Sequence, residues 1–120
     1  MPKITTTNQL TQYALKVIRR AGFHAWRQNN GAVWDAKNKT YRKGSSTPGV
    51  ADIIGFHRQT GQFIACEIKV GRDTLRREQV LFHAAVRGSG GLSLIVGHAD
   101  DLQRLAATHH LQLPTNESIS

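Results

Sequence analysis

The sequence predicts a small α/β domain, with a mixed sheet of about four strands flanked by helices. Two observations carry this. Four strand-like runs, residues 23–27, 50–56, 63–70 and 92–96, are each bounded by glycine or turn formers, and helical periodicity surrounds them. The length of 120 residues, with 39% apolar side chains, suits one modest core and a single domain, centred on about residues 8–107.

Each element has its own warrant. Residues 7–21 place Leu10, Ala14, Val17, Ile18 and Ala21 on one helical face. Thr6 and Gln9 have capping-box spacing, and Gly22 stands where a left-handed residue ends a helix. Lys16, Arg19 and Arg20 gather near its C-terminal end, where the helix dipole favours cations. Residues 23–27 alternate as a strand, and Asn29-Asn30-Gly31 supplies a turn. Residues 35–49 are polar and rich in turn formers, a long loop with room for a short hairpin. A second helix is predicted over 74–87, capped by Asp73, with Leu75, Phe82 and Val86 as its inner stripe. Gly88-Ser89-Gly90-Gly91 ends it, a last helix spans roughly 100–107, and the polar tail 114–120 frays.

Charge divides the chain. Residues 1–48 hold nine Lys/Arg and one acid, Asp35, for a net +8, whereas residues 49–120 hold seven of each sign. Such a basic section suits a polyanion, nucleic acid before an anionic membrane, because Lys/Arg on phosphates release condensed counterions. It also serves solubility. The single cysteine, Cys66, excludes an internal disulfide framework and a Cys-rich zinc site. No apolar run approaches the ~20 residues of a membrane span, and residues 1–7 lack an apolar signal core, which predicts an intracellular protein. His24, His57 and His98 are scattered near strand ends and His109-His110 follow the last helix, without the convergent spacing of a metal site. Trp26 and Trp34 read more readily as core or boundary packing than as base-stacking residues.

Asp52, Glu67 and Lys69 carry the chemistry. In residues 63–70, period two sets Ile64, Cys66, Ile68 and Val70 on an apolar core face, with Phe63, Ala65, Glu67 and Lys69 on the other. Cys66 is then an inert core residue. Asp52 interrupts an apolar run, where a lone carboxylate is costly unless donors or a cation meet it. A short turn over 57–62 can bring Asp52 beside Glu67, and a hard divalent cation relieves the resulting repulsion. Lys69 could then hold a phosphate oxygen or a water. Gln79 falls on the inner stripe of its helix, where it needs hydrogen-bond partners.

Gly49-Val50-Ala51-Asp52, Glu67-Ile68-Lys69 and Gln79 together resemble the PD-(D/E)xK nuclease superfamily, specifically its VRR-NUC branch with small single-domain phage and bacterial members. Residues 26–32 and Gly90-Gly91 are similar to that branch too. The resemblance implies a restriction-endonuclease-like core and phosphodiester hydrolysis with Mg²⁺ or Mn²⁺. It implies Asp52, Glu67 and the Ile68 carbonyl as metal ligands, Lys69 as the group that orients water and offsets phosphate charge, and Gln79 as support. The basic residues, loop amides and loop hydroxyl Arg27, Asn29, Asn30, Lys37, Lys39, Arg42, Lys43 and Ser46 would contact nucleic acid. A homodimer acting on Holliday junction or flap DNA is the implied assembly and substrate. The chain departs from the pattern in two places. The first-helix Glu has no counterpart, since no acid precedes Asp35 and the matching region offers only Asn8, Gln9 and Gln12, and Ala51 replaces the usual Pro. A DNA-binding module without catalysis and an RNA nuclease are therefore rival expectations.

Overall fold

A computed structural model describes residues 4, 6–28, 33–42 and 47–108. The order is α1 (Thr7–Arg20), β1 (Phe23–Arg27), β2 (Val33–Asp35), β3 (Thr40–Arg42), β4 (Ile53–His57), β5 (Phe63–Ile68), α2 (Arg77–Gly88), β6 (Leu92–Val96), a 3-10 turn (Ala99–Leu102) and α3 (Gln103–Thr108). The expected mixed sheet is present, in the order β1-β4-β5-β6, with β1, β4 and β5 antiparallel and β6 parallel to β5.

α1 forms as its sequence predicts. Thr6 Oγ1 accepts the Gln9 amide at 3.0 Å and Gln9 Oε1 accepts the Thr6 amide at 3.1 Å, satisfying two backbone donors that the first turn leaves open. Gly22, at φ +101, turns the chain into β1. Leu10, Tyr13, Ala14, Val17 and Ile18 are buried and meet Phe23, Ala25, Ile53, Ile64, Cys66 and Ile68 on one face of the sheet, with Leu102 and Leu105 closing the main core. The opposite face holds a smaller cluster, Ala51, Ala65 and Val86, flanked by Ile54 and Phe82, where α2 crosses β5 and β6.

Several boundaries differ from expectation for definite reasons. The short hairpin expected within the loop 35–49 is present as β2–β3 but begins earlier, at Val33, with Trp34 paired to Tyr41 and the turn held by Asp35, whose Oδ2 accepts Asn38 Nδ2 at 2.9 Å. β4 begins at Ile53, so Asp52 sits at a bend just before the strand. β5 ends at Ile68, which leaves Val70 exposed, outside the apolar face. α2 starts three residues late, with Arg76 rather than Asp73 as its cap, because Gln79 Oε1 accepts the Arg76 amide at 2.8 Å while Asp73 pairs with Lys69 at 3.7 Å. Its buried stripe is Gln79, His83 and Val86, not Leu75, Phe82 and Val86: Leu75 precedes the helix and Phe82 is half-buried. The last helix divides into the 3-10 turn and α3 because Asp101 Oδ2 accepts the amides of Gly97 and His98, tightening the first turn. Among the described residues no helix is long and apolar enough to cross a membrane.

Candidate functional site

The site lies where β4 begins and β5 ends. The register aligns Ile53 with Cys66, so Asp52, one residue earlier, falls beside Glu67. Its position is fixed from two sides: its carbonyl accepts the Gln28 amide at 2.7 Å, and its carboxylate Oδ2 accepts the Ile68 amide at 2.9 Å. Glu67 and Lys69 flank that amide at the carboxyl end of a strand with a parallel neighbour, the end where open α/β sheets hold ligands.

Glu67 is only 2% exposed, which removes the simple account of it as a solvated surface residue. α2 covers it and supplies its partners. Gln79 Nε2 donates to Glu67 Oε1 at 3.2 Å, while the same amide's oxygen caps the helix at Arg76, so one side chain ties the helix start to the carboxylate. One turn later His83, also buried, places Nε2 3.6 Å from Glu67 Oε2. That is an ion-pair separation, too long for a hydrogen bond, and both atoms are buried without a hydrogen-bond partner. His83 Nδ1 is anchored at 2.7 Å to Ser93 Oγ on β6. Burial pushes the Glu67 carboxyl above its ordinary pKa; His83 and Lys69 counter this, and the neighbouring Asp52 carboxyl adds to it.

Lys69 follows β5, held by its amide's bond to the Val96 carbonyl at 2.9 Å, with its side chain 13% exposed and its ammonium 3.7 Å from Asp73. Cys66, buried between the sheet and α1, has a thiol pushed up first by burial and then by Asp52 and Glu67, so it stays protonated and packs as a core residue.

Gly49 has a structural explanation. It adopts φ +72, and a Cβ there would overlap the Glu78 carbonyl and lie 2.7 Å from the Gln79 nitrogen. The loop into Asp52 thus lies directly against the first turn of α2. Gly49→Ala is expected to cost about 2–4 kcal/mol from left-handed strain and overpacking, read as a melting temperature lower by about 10 °C. Unchanged melting would refute the close approach.

The structure brings together Asp52, Glu67, Lys69 and Gln79. The basic residues are spread more widely. Arg27 ends β1 and donates to Asn8 Oδ1 at 2.6 Å, Lys37 and Lys39 are exposed in the hairpin turn, and Arg42 ends β3. Asn29, Asn30, Lys43, Ser46, His109, His110 and the tail 114–120 lie outside the described residues. Neither Trp26 nor Trp34 is core: they are 39% and 53% exposed. His83 was invisible to sequence reasoning; the available signal was its i+4 spacing from Gln79. The chain matches no protein-family model and no curated protein.

The donor set suits a hard divalent ion. Two carboxylates side by side, one with an orphaned buried oxygen, create an electrostatic strain that Mg²⁺ or Mn²⁺ would relieve. Among the described residues no group of three or more His, Cys, Asp or Glu side chains is arranged to hold a metal ion by itself. Mg²⁺ is commonly held by one or two carboxylates, with waters and substrate phosphates completing its shell.

Proposed function

We propose that the chain is a divalent-metal-dependent DNA endonuclease, selective for branched substrates such as Holliday junction or flap DNA. The observation that carries this reading is the convergence of Asp52 and buried Glu67, with Lys69 two residues on, at the carboxyl end of β5. Asp52, Glu67 and the Ile68 carbonyl would hold Mg²⁺ or Mn²⁺, which when bound supplies Lewis-acid chemistry and a more acidic water. The Ile68 amide orients Asp52 and Gln79 orients Glu67. Lys69 orients the attacking water and stabilises charge developing on the phosphate. Two sites related by a two-fold axis, in a homodimer, would match a paired-strand substrate.

A DNA-binding module without catalysis is the second reading. It is favoured by α1, which has no acid, packs on the face of the sheet opposite Glu67, and commits Asn8 to Arg27 and Gln9 to its own cap. One panel separates the two. Single-stranded, duplex, flap and four-way DNA are incubated with each metal, and Mn²⁺ binding is measured by calorimetry. The endonuclease reading expects a bound ion at millimolar metal and cleavage of branched DNA; no ion and no cleavage would leave the binding module.

A further inference from the structure

The second face of the sheet is only half covered. α2 lies mainly over β5 and β6 and its apolar cluster reaches Ile54 of β4, so among the described residues the rest of the β1–β4 half of that face has no extensive helix contact. Register places His24, Trp26 and Phe56 there, with Phe63 beside them at the start of β5: His24 pairs with Phe56, Phe56 with Phe63, and Trp26 with Ile54. Trp26, Phe56 and Phe63 are 39%, 43% and 38% exposed. Three of the rings are connected, with His24 stacked on Phe56 at 5.2 Å between centroids and 30° between planes, and Trp26 5.8 Å from His24.

Two features name the occupant. The first is charge. β1 and β4 contain no acid; of the titratable groups His24 lies on this face and Arg58 follows β4. Arg27 turns to the α1 face and bonds Asn8, Arg87 reaches Ser93 Oγ on β6 at 3.3 Å over the covered half, and Asp52 stands where the strip meets the candidate site. A second copy of the chain docked here through a two-fold would set His24 and Arg58 against themselves and bring together two chains of net charge +8. A polyanion meets the opposite sign. The second is continuity. Two residues beyond Trp26, the Gln28 amide binds the Asp52 carbonyl, so the aromatic strip runs along the strands into the candidate site.

We propose that this strip is a stacking platform for unpaired DNA bases, delivering a single-stranded segment to the Asp52–Glu67 end of the sheet. Flat exposed rings beside cations are how proteins hold single strands without reading sequence, whereas bases inside a duplex are already stacked on each other. The proposal rests on the nuclease reading for what happens at Asp52, but binding on the platform needs no metal. It specifies the branched substrate further, since the arm bound must be unpaired.

The test uses the full chain carrying Trp34→Phe, which leaves Trp26 as the sole tryptophan. It is titrated with an oligo-dT of about 20 nucleotides and with a blunt duplex of equal length, in EDTA at one stated salt. Quenching of Trp26 emission by oligo-dT, with at least tenfold weaker binding to duplex, is expected. In the otherwise native chain, Trp26→Ala and Phe56→Ala should each weaken oligo-dT binding about 5- to 100-fold, with circular dichroism confirming the fold. Absence of quenching, equal binding of duplex, or unchanged affinity in both variants would overturn the platform. So would sedimentation showing a dimer that Trp26→Ala dissociates, because the strip would then be a self-interface. Metal-dependent cutting that persists without quenching would leave the nuclease reading standing and remove the platform alone; quenching without cutting would do the reverse.

Discussion

Lys69→Ala is expected to reduce cleavage by a factor of about 10²–10³ while DNA affinity falls no more than about threefold. Removing a donor that stabilises charge developing in the transition state typically costs that much in rate. Binding should survive because Lys69 supplies only one phosphate contact and its side chain is largely enclosed, 13% exposed. The fold should survive as well: the strand is held at this position by the backbone bond to Val96, and the ion pair lost is the 3.7 Å contact with Asp73, which is itself well exposed. Single-turnover cleavage, measured beside binding in EDTA, separates the two effects. A Lys69→Ala protein that cuts as fast as the parent would sink the assignment of Lys69 and, with it, the endonuclease reading.

The same neighbourhood shows what a single sequence makes legible. α1, β1, β5 and β6 follow from local patterns, because burial of one face imposes period 3.6 or period 2 on the apolar residues. The pairing of Asp52 with Glu67 was also accessible, since a short connection between antiparallel strands limits the register. The start of α2 was not. Asp73 has the chemistry of a cap, but the cap is supplied by Gln79 reaching back to Arg76, and that side chain is aimed by Glu67 on a different element. His83 was hidden for the same reason: a histidine on a helix has no direction until the strand beneath is known. Trp26 shows the converse. Alternation along β1 already sets His24 and Trp26 opposite Phe23 and Ala25, so both pairs could not enter the main core, and only the extent of α2 decides which half of the second face stays open.

Glu67→Gln is expected to stabilise the metal-free protein, increasingly as pH rises, and to abolish its response to metal. Burial holds the folded-state pKa of Glu67 above the unfolded value of about 4.3, with Asp52 adding to the effect. Between those two values the unfolded chain has released the proton while the folded chain retains it, so stability falls as pH rises through the interval and the loss is complete above the folded pKa. The neutral amide has no such loss and still offers an oxygen to Gln79 Nε2, which donates to Glu67 at 3.2 Å. Melting temperatures in EDTA should therefore be closest near pH 4 and diverge upward, a tenfold difference in proton affinity between the folded and unfolded chains being worth about 1.4 kcal/mol. Mn²⁺ should reverse the order in favour of the parent, by about 2.7 kcal/mol at a concentration 100 times its dissociation constant, with tighter binding as pH rises because the ion must displace the Glu67 proton. If Glu67→Gln lowered the melting temperature equally at every pH, the carboxylate would be an ordinary structural acceptor. The case for a cation at Asp52 and Glu67 would then lose its electrostatic basis.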